Sequence, residues 1–440
     1  MALLPRRPEF LSGKMPQGLV RADDWHRRIA MLVSAVLIGL AALLVAKLGD
    51  WAQEVFGAIR HDYVYLPLVL TPLTFLAVAW LTRRIANEAR GSGIPQVMAA
   101  SRDPHTPVAR ALLSLRAAAA KTVLTLVGLL GGASVGREGP TVQLAGAIMV
   151  AVHRVFRVRI SSGVVIAGGA AGVAAAFNTP LAGIAFAIEE LAVAYEQRVA
   201  VLVMGAVMIA GLTAQGLAGD YVYFGILKGN LPVGSVLIAA PLAGIGGGIL
   251  GGLFSRLVLA MRGYDGRWSG LLGRHPLVTA LACGLLVGAL IVASGGMVAG
   301  TGYEPTTAML EGGAQDFWFG PAKFVAALAT SVSGIPGGIF APSLSVGAGL
   351  GQFLTPLFPP EQAGLIILLG MAGYFTGVVR APLTAVIILS EATGSHAILP
   401  LFATALIGDW AGSMVCRERL YHAMARDFLP QEKAQTGAAT

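Results

Sequence analysis

The stretch that decides the fold is Gly-Arg-Glu-Gly-Pro at 136–140, which is followed 202 residues later by Gly-Ile-Phe-Ala-Pro at 338–342. The same offset holds without a gap from Lys121–Leu191 to Lys323–Thr393, and it superposes Glu189 on Glu391. Few residues are identical, so the match rests on the spacing of Gly and Pro. Chance similarity of two apolar, Gly-rich segments is the alternative. We interpret the offset as an internal repeat.

The sequence around these motifs is poor in charge. Charged residues make up 12% of the 440 residues, against about 25% in ordinary soluble domains. They are absent from whole stretches of chain, which excludes a soluble enzyme and predicts membrane spans. The uncharged runs are irregular: Phe324–Pro360 has 37 residues and Ala381–Ser390 has 10, whereas a simple span needs about 20. With 58 Gly and 23 Pro, this pattern predicts an all-α polytopic membrane protein whose helices break inside the membrane.

The charges between the runs predict how the copies are oriented. An arginine-rich segment, residues 83–116, precedes the first copy, and Glu304, Glu311 and Asp316 precede the second. Basic segments stay on the cytoplasmic side, so the copies should enter the membrane from opposite sides. We therefore predict an inverted repeat, as in many secondary transporters.

The same reasoning divides the chain. Residues 1–28 are basic and should be cytoplasmic, followed by a first membrane half at 29–220, a second half at 221–416 and a cytoplasmic segment at 417–440. The first span should begin at Ile29 without signal cleavage, and an external loop should hold Asp50, Glu54 and Asp62. A bacterial-type plasma membrane is the expected location.

Several other classes of protein do not fit. The net charge of +8 lies in short segments between spans, so nucleic-acid binding is not expected. Cys283 and Cys416 form no disulfide framework, the seven His show no metal spacing, and no cofactor is expected. The Gly-rich run Gly244–Gly252 lacks the Lys and Ser or Thr of a nucleotide loop and indicates close helix packing.

Three motifs point to an anion site. Gly-Ser-Gly-Ile-Pro at 91–95 is a third motif of the same kind as those at 136–140 and 338–342. In each of the three, a Gly precedes a Pro that can begin a helix. Helix N-termini present free N–H groups and the positive end of the helix dipole. Three such ends within a membrane predict an anion-binding site, and three packing turns are the alternative.

Glu138 lies inside one of these motifs, where an ionised carboxylate is costly without a compensating field. A helix N-terminus supplies that field, and protonation of the carboxyl would release it from the site. We interpret Glu138 as a titrating anion gate, with a helix-capping glutamate as the alternative. An intramembrane enzyme with Glu138 as general base is the rival from another class, although no nucleophile or metal ligand accompanies it.

Two further pairs carry charge in apolar surroundings. Glu189 and Glu190 end the run Ile160–Ile188 and point about 100° apart on a helix, so we expect different environments for the two carboxylates, with one facing the interior. The alternative is that both lie in water at a cytoplasmic helix end, and a solvated position is expected for Glu189. Lys121 and Lys323 are expected to snorkel to opposite interfaces.

At these residues the sequence resembles the CLC family of chloride channels and proton-coupled chloride exchangers. The resemblance rests on the three motifs, on Phe-Asn-Thr-Pro-Leu-Ala-Gly at 177–183 and on Tyr421 after the last span. It implies a homodimer in the lipid bilayer with one anion pathway per subunit, built from about eighteen helical segments in two inverted halves. Because the sequence ends soon after Tyr421, a prokaryotic type without cytoplasmic nucleotide-sensing domains is expected.

The resemblance also implies roles for residues. Ser92 and Tyr421 would offer hydroxyls, and Ile339 and Phe340 backbone N–H groups, to a bound chloride. Glu138 would be the external gate and Glu190 the internal proton-transfer residue. The supporting loop residues are Gly91, Gly93, Gly136, Arg137, Gly139 and Gly338.

The function implied is exchange of chloride for protons across the membrane, with chloride and protons as the transported partners. A serine at position 92, where nitrate-preferring relatives have proline, favours chloride. The alternative is a passive channel of the same fold, gated by voltage or pH.

Overall fold

The computed structural model describes residues 22–191, 197–219, 222–227, 229–262, 274–313 and 315–429. These residues form eighteen α-helices and no β-strand. The helices are α1 (Ala22–Asp62), α2 (Pro67–Ile85), α3 (Ile94–Arg102), α4 (Pro107–Leu112), α5 (Leu115–Leu130), α6 (Glu138–Val155), α7 (Ser162–Phe177), α8 (Pro180–Phe186), α9 (Gln197–Ala218), α10 (Val233–Arg262), α11 (Pro276–Ala293), α12 (Tyr303–Leu310), α13 (Phe319–Val332), α14 (Phe340–Leu354), α15 (Ala363–Val379), α16 (Pro382–Thr393), α17 (Ile398–Val415) and α18 (Leu420–Arg426). Seven of the helical segments are long and apolar enough to cross a membrane. The prediction of an all-α, multi-pass membrane protein is confirmed.

The predicted breaks within apolar runs are present. The run that contains Ile160–Ile188 is interrupted after α7 at Asn178, whose φ of 56° is left-handed, and α8 begins at Pro180. The 37-residue run is interrupted between α13 and α14. Helix breaks leave free backbone groups inside the apolar layer, which membrane proteins tolerate only where these groups face protein or a cavity.

The repeat found in the sequence is also a structural repeat. Adding 202 to the first residues of α6, α7 and α8 gives 340, 364 and 382, and helices begin at 340, 363 and 382. The Asn178 that follows α7 corresponds to Arg380 after α15, and both residues have left-handed φ. The two copies therefore share the positions at which helices begin and break.

Reciprocal hydrogen bonds show that the copies are antiparallel. Glu189, just beyond α8, accepts the N–H groups of Leu383 and Thr384 at the start of α16, at 2.8 and 2.6 Å. Glu391 on the last turn of α16 accepts those of Leu181 and Ala182 at the start of α8, at 3.1 and 2.9 Å. Since the end of each helix meets the start of the other, the two run in opposite directions. The inverted repeat is confirmed.

The loop expected after the first span is helical instead. Helix α1 continues to Asp62, so Asp50 and Glu54 lie within it rather than in a loop. At 1.5 Å per residue its 41 residues extend about 60 Å, roughly twice the thickness of the hydrocarbon core. The expectation of a loop was wrong because acidic residues end an apolar run without ending a helix.

The core is built from the repeated helices and from close glycine contacts. Nearly every residue of α7 and α15 is buried. Helices α10, α15 and α17 meet through glycines, and a Cβ added to Gly248 would lie 2.5 Å from the carbonyl oxygen of Gly408. This confirms close packing for the Gly244–Gly252 run. The boundary between halves at 220–221, residues 1–21 of the N-terminal segment and residues 430–440 of the C-terminal segment lie outside the described residues.

Candidate anion site

The three Gly-containing loops meet at one place. Gly136 and Gly338 form an antiparallel pair of backbone hydrogen bonds of 2.8 and 2.7 Å. The N–H of Gly337 donates to the carbonyl oxygen of Gly91 at 3.3 Å. Helices α3, α6 and α14 begin within three residues of these contacts. Three helix N-termini therefore converge in the interior, as the motifs predicted.

Glycine is required where the loops touch. Gly93 has a φ of 113°, and a Cβ there would overlap the carbonyl oxygen of Gly139. A Cβ on Gly139 would lie 2.6 Å from the hydroxyl oxygen of Ser92. Side chains at these positions would force α3 and α6 apart and separate the donors that their loops carry.

The site holds buried hydroxyls without acceptors. The Oγ of Ser92 and the OH of Tyr421 are buried and form no hydrogen bond of good geometry within the described chain. The two hydroxyls interact with each other, so they lie at one point. Ile339 and Phe340 lie at the first turn of α14, where backbone N–H groups have no partner within the helix. Donors that converge without an acceptor suit a bound anion.

Aromatic rings surround this point. The ring of Phe340 lies 5.8 Å from that of Tyr421, 5.8 Å from that of Phe186 and 5.0 Å from that of Phe375, measured between centroids. Phe177 stacks against Phe340 at 6.0 Å. Phe186 and Phe375 lie outside the sequence motifs, and Phe177 begins the motif at 177–183. None of these rings was predicted from the sequence to line the site. The rings exclude water and leave the N–H and O–H groups as the polar contacts.

Glu138 is enclosed at the start of α6. It is 1% exposed, and neither carboxylate oxygen has a hydrogen bond of good geometry in the described part of the chain. The carboxylate interacts with the backbone N–H of Ala341 in the first turn of α14, and one oxygen lies against Gly136. The side chain thus occupies the N-terminus of the opposite copy, where an anion would also bind.

Arg137 turns away from this point. Its guanidinium donates to the carboxylate of Asp50 at 2.5 Å and to the carbonyl oxygen of Ala46, both on α1. This ion pair was not predicted from the sequence, because nothing around Asp50 indicates a partner 87 residues away. The ion pair anchors the Gly136–Glu138 loop to the first helix.

Glu190 lies in a π-helical turn at Ala187–Leu191, directly after α8, and is 2% exposed. Its carboxylate is 3.7 Å from a guanidinium nitrogen of Arg419 and 3.5 Å from Nδ1 of His422. The sequence did not identify these partners, although both lie within two residues of Tyr421. Glu189 is not a solvated carboxylate, since it caps α16; that expectation was wrong because its helix end faces another helix start rather than water.

Neither repeat lysine snorkels. Lys121 and Lys323 are both 0% exposed, which contradicts the expectation from their apolar neighbours. The ammonium of Lys323 donates to the carbonyl oxygens of Val298 and Gly300 at 2.9 and 2.8 Å. That of Lys121 has no hydrogen bond within the described residues and repels the guanidinium of Arg262. Helix ends and loops surround each lysine, so its ammonium group does not extend to the membrane–water interface.

One cavity lies at the last turn of α2 and a second lies beside the last turns of α1. The first, of about 320 Å³, is lined by Ser92, Arg83, Arg90 and Arg262. The other, of about 490 Å³, lies beside Asp50 and Tyr303 near the turn between the two helices. The first cavity reaches the hydroxyl site through Ser92 and is rich in arginine, which concentrates anions.

These features agree with one known family. Residues 74–413 match the family described as voltage gated chloride channel. The chain belongs to this family. The match covers more than three quarters of the sequence, including α3 to α16 and the three glycine loops.

Solved structures share the fold. A slow cyanobacterial Cl-/H+ antiporter superposes with a TM-score of 0.77 at 23% identity, covering 91% of this chain and 99% of the antiporter. A CLC-type fluoride/proton antiporter gives 0.75 at 23% identity, with 90% and 96% coverage. A eukaryotic CLC transporter gives 0.71 at 23% identity, with 91% and 74% coverage. This chain is thus a multi-pass anion-transport protein of a family of channels and transporters, not of enzymes.

Proposed function

We propose that this protein exchanges chloride for protons. The observation that carries the proposal is the placement of two buried carboxylates, Glu138 and Glu190, both close enough to Tyr421 to act electrostatically on its hydroxyl. A passive anion pathway needs donors but has no need for a second buried acid. Two titratable acids beside an anion site give protons a route that the donors alone cannot give.

Chloride would bind between the Ser92 and Tyr421 hydroxyls and the N–H groups of Ile339 and Phe340. These donors are fixed before the ion arrives, so binding replaces hydration without reorganising the protein. The supporting glycines Gly91, Gly93, Gly136, Gly139 and Gly338 allow the close approach of the loops, and Arg137 would hold the Gly136–Glu138 loop against α1.

Glu138 would gate the pathway. Its carboxylate and a chloride compete for the N-terminus of α14, because both are anions drawn to the same N–H groups. Protonation removes the charge of the carboxylate and allows chloride to take its place. Each proton accepted by Glu138 is thereby linked to anion movement.

Glu190 would pass protons between Glu138 and the cytoplasm. The anion donors repel protons, so a separate acid on the inner side is needed. The basic residues at 83–116 favour an orientation with the Arg83 cavity and Glu190 on the cytoplasmic side and the Asp50 cavity on the external side. We further propose a plasma-membrane location with both termini cytoplasmic, and a homodimer with one pathway per subunit.

Reversal-potential measurement in reconstituted vesicles tests the proposal. Under a fixed chloride gradient, the potential at zero current should shift when a pH gradient is imposed, because protons carry part of the charge. A passive CLC channel, which is the alternative, would show no shift. An unchanged potential would contradict exchange and support passive chloride conduction.

A further inference from the structure

The route by which protons reach Glu190 is the open end of the proposed pathway. Glu190 is 2% exposed and its carboxylate oxygens have no direct access to solvent. Glu189, its neighbour in sequence, cannot deliver protons while its carboxylate is bound by the N-terminus of α16. Some other group must connect Glu190 to water.

Two side chains reach from Glu190 toward solvent. Arg419, 3.7 Å away, has a side chain that is 45% exposed, and His422, 3.5 Å away, has one that is 33% exposed. An arginine guanidinium stays protonated in proteins and cannot pass a proton on. Imidazole ordinarily changes charge between about pH 5 and 8 and has two nitrogens, one for each end of a transfer.

The His422 ring has the required asymmetry. Its Nδ1 atom is buried and faces the Glu190 carboxylate, so the exposed third of the side chain belongs to its other atoms. His422 follows Tyr421 on α18, so one short helix carries both the hydroxyl at the anion site and the imidazole at the internal acid. We propose that His422 is the proton-transfer residue between cytoplasmic water and Glu190; this rests on the proposed exchange function.

The transfer is balanced without another reactant. A neutral ring with its proton on Nδ1 accepts a solvent proton on Nε2 and gives the Nδ1 proton to the carboxylate of Glu190. The carboxylate becomes a neutral acid, and the ring remains neutral with its proton on Nε2. Exchange with water restores the first tautomer.

The other charges near His422 are identified by the packing of α18. Arg419 and the Glu418–Arg426 pair, at 3.3 Å, belong to the same segment. Helices α3, α10 and α15 pack against α18. Arg102 lies on α3, Arg256 and Arg262 lie on α10, and Arg380 follows α15. Within the described residues, Glu190 is the acid that pairs with His422, so the ring has one partner to which it can give a proton.

The test uses the full chain in liposomes with chloride and proton fluxes recorded together. His422→Asn keeps a nitrogen donor close to the Nδ1 position and removes titration. Proton flux should fall by roughly tenfold or more while chloride continues to move, so the ratio of proton flux to chloride flux should fall by the same factor. His105→Asn makes the same change at an exposed histidine and should leave both fluxes as in the wild type.

The outcomes separate the two proposals. A wild-type protein that moves chloride without protons overturns exchange itself, and the relay with it. If the wild type is coupled and His422→Asn keeps the same ratio of proton flux to chloride flux, the relay alone is overturned. If His422→Asn does not transport chloride, His422→Gln is measured in the same way; loss of chloride transport in both variants assigns His422 to the anion path or the fold and also overturns the relay.

Discussion

The carboxylate of Glu138 decides, at the scale of one residue, whether the anion pathway is open. Glu138→Gln keeps the size of the side chain and mimics the protonated acid. Because the neutral amide cannot compete with chloride for the N-terminus of α14, anion flux should persist and lose its dependence on external pH. Proton transport should fall by roughly tenfold or more in a combined chloride and pH recording. A variant that still moves protons against their gradient would exclude Glu138 as the gate.

Gly136 tests the same gate without changing its chemistry. A Cβ at Gly136 would occupy the place of one Glu138 oxygen, and it would lie 3.3 Å from Cδ of Pro342. The flexible carboxylate can move whereas the proline cannot, so Gly136→Ala should displace Glu138 and weaken the dependence of chloride flux on external pH. Gly128→Ala is the matched control, since its Cβ would make an ordinary contact 3.6 Å from Ala133. Equal pH dependence in both variants would show that Glu138 does not lie against Gly136.

Helices α8 and α16 stabilise each other through the caps from Glu189 and Glu391. Each carboxylate satisfies two N–H groups that have no partner within their own helix, and Glu189 also accepts the hydroxyl of Thr384 at 2.6 Å. Glu189→Ala and Glu391→Ala should each lower the free energy of unfolding by about 1 kcal/mol, with the larger loss for Glu189. Thermal unfolding in detergent measures this.

Glu361→Ala serves as the control for the caps. Glu361 is exposed in a short helical turn, so its loss should change the free energy of unfolding by less than about 0.5 kcal/mol. Cap variants as stable as Glu361→Ala would mean that these carboxylates contribute no net stability.

At the scale of elements, sequence patterns correctly predicted the features that depend on backbone conformation. The spacing of Gly and Pro revealed the repeat, the helix breaks and the three loops, because left-handed turns and first helical turns restrict the residue type. The offset even paired Glu189 with Glu391, but hydrogen bonds between helices depend on packing that the spacing does not contain. For the same reason, the sequence did not predict that Asp50 pairs with Arg137. It also did not predict that Arg419 and His422 lie beside Glu190.

Local polarity misled the sequence interpretation in a consistent way. Lysines in apolar runs suggested snorkelling, yet carbonyl oxygens inside the protein bind Lys323. Acidic residues after an apolar run suggested a loop, yet α1 continues through them to Asp62. In the first case, the carbonyl oxygens belong to the turn before α12, which the composition around Lys323 does not reveal.

At the scale of the whole molecule, the proposed orientation can be tested directly. In a background with Cys283→Ser and Cys416→Ser, a thiol at an exposed position reports its side of the membrane. Arg84→Cys should react with an impermeant thiol reagent from the cytoplasmic side, and His61→Cys from the external side, because His61 precedes the spanning helix α2 and Arg84 lies in its last turn. Labelling of both positions from one side would show that α2 does not cross the membrane, and the reverse pattern would invert the proposed topology.

The central claim is that chloride movement and proton movement are coupled through two buried acids. Its most direct measurement is proton uptake by liposomes that hold high internal chloride, with internal and external pH equal at the start. Chloride leaving down its gradient should drive protons inward until their concentration exceeds that outside; Glu190→Gln should release chloride without moving protons, and Glu189→Gln should retain most of the coupling. Chloride efflux without proton movement in the wild type, or full coupling in Glu190→Gln, would contradict the account.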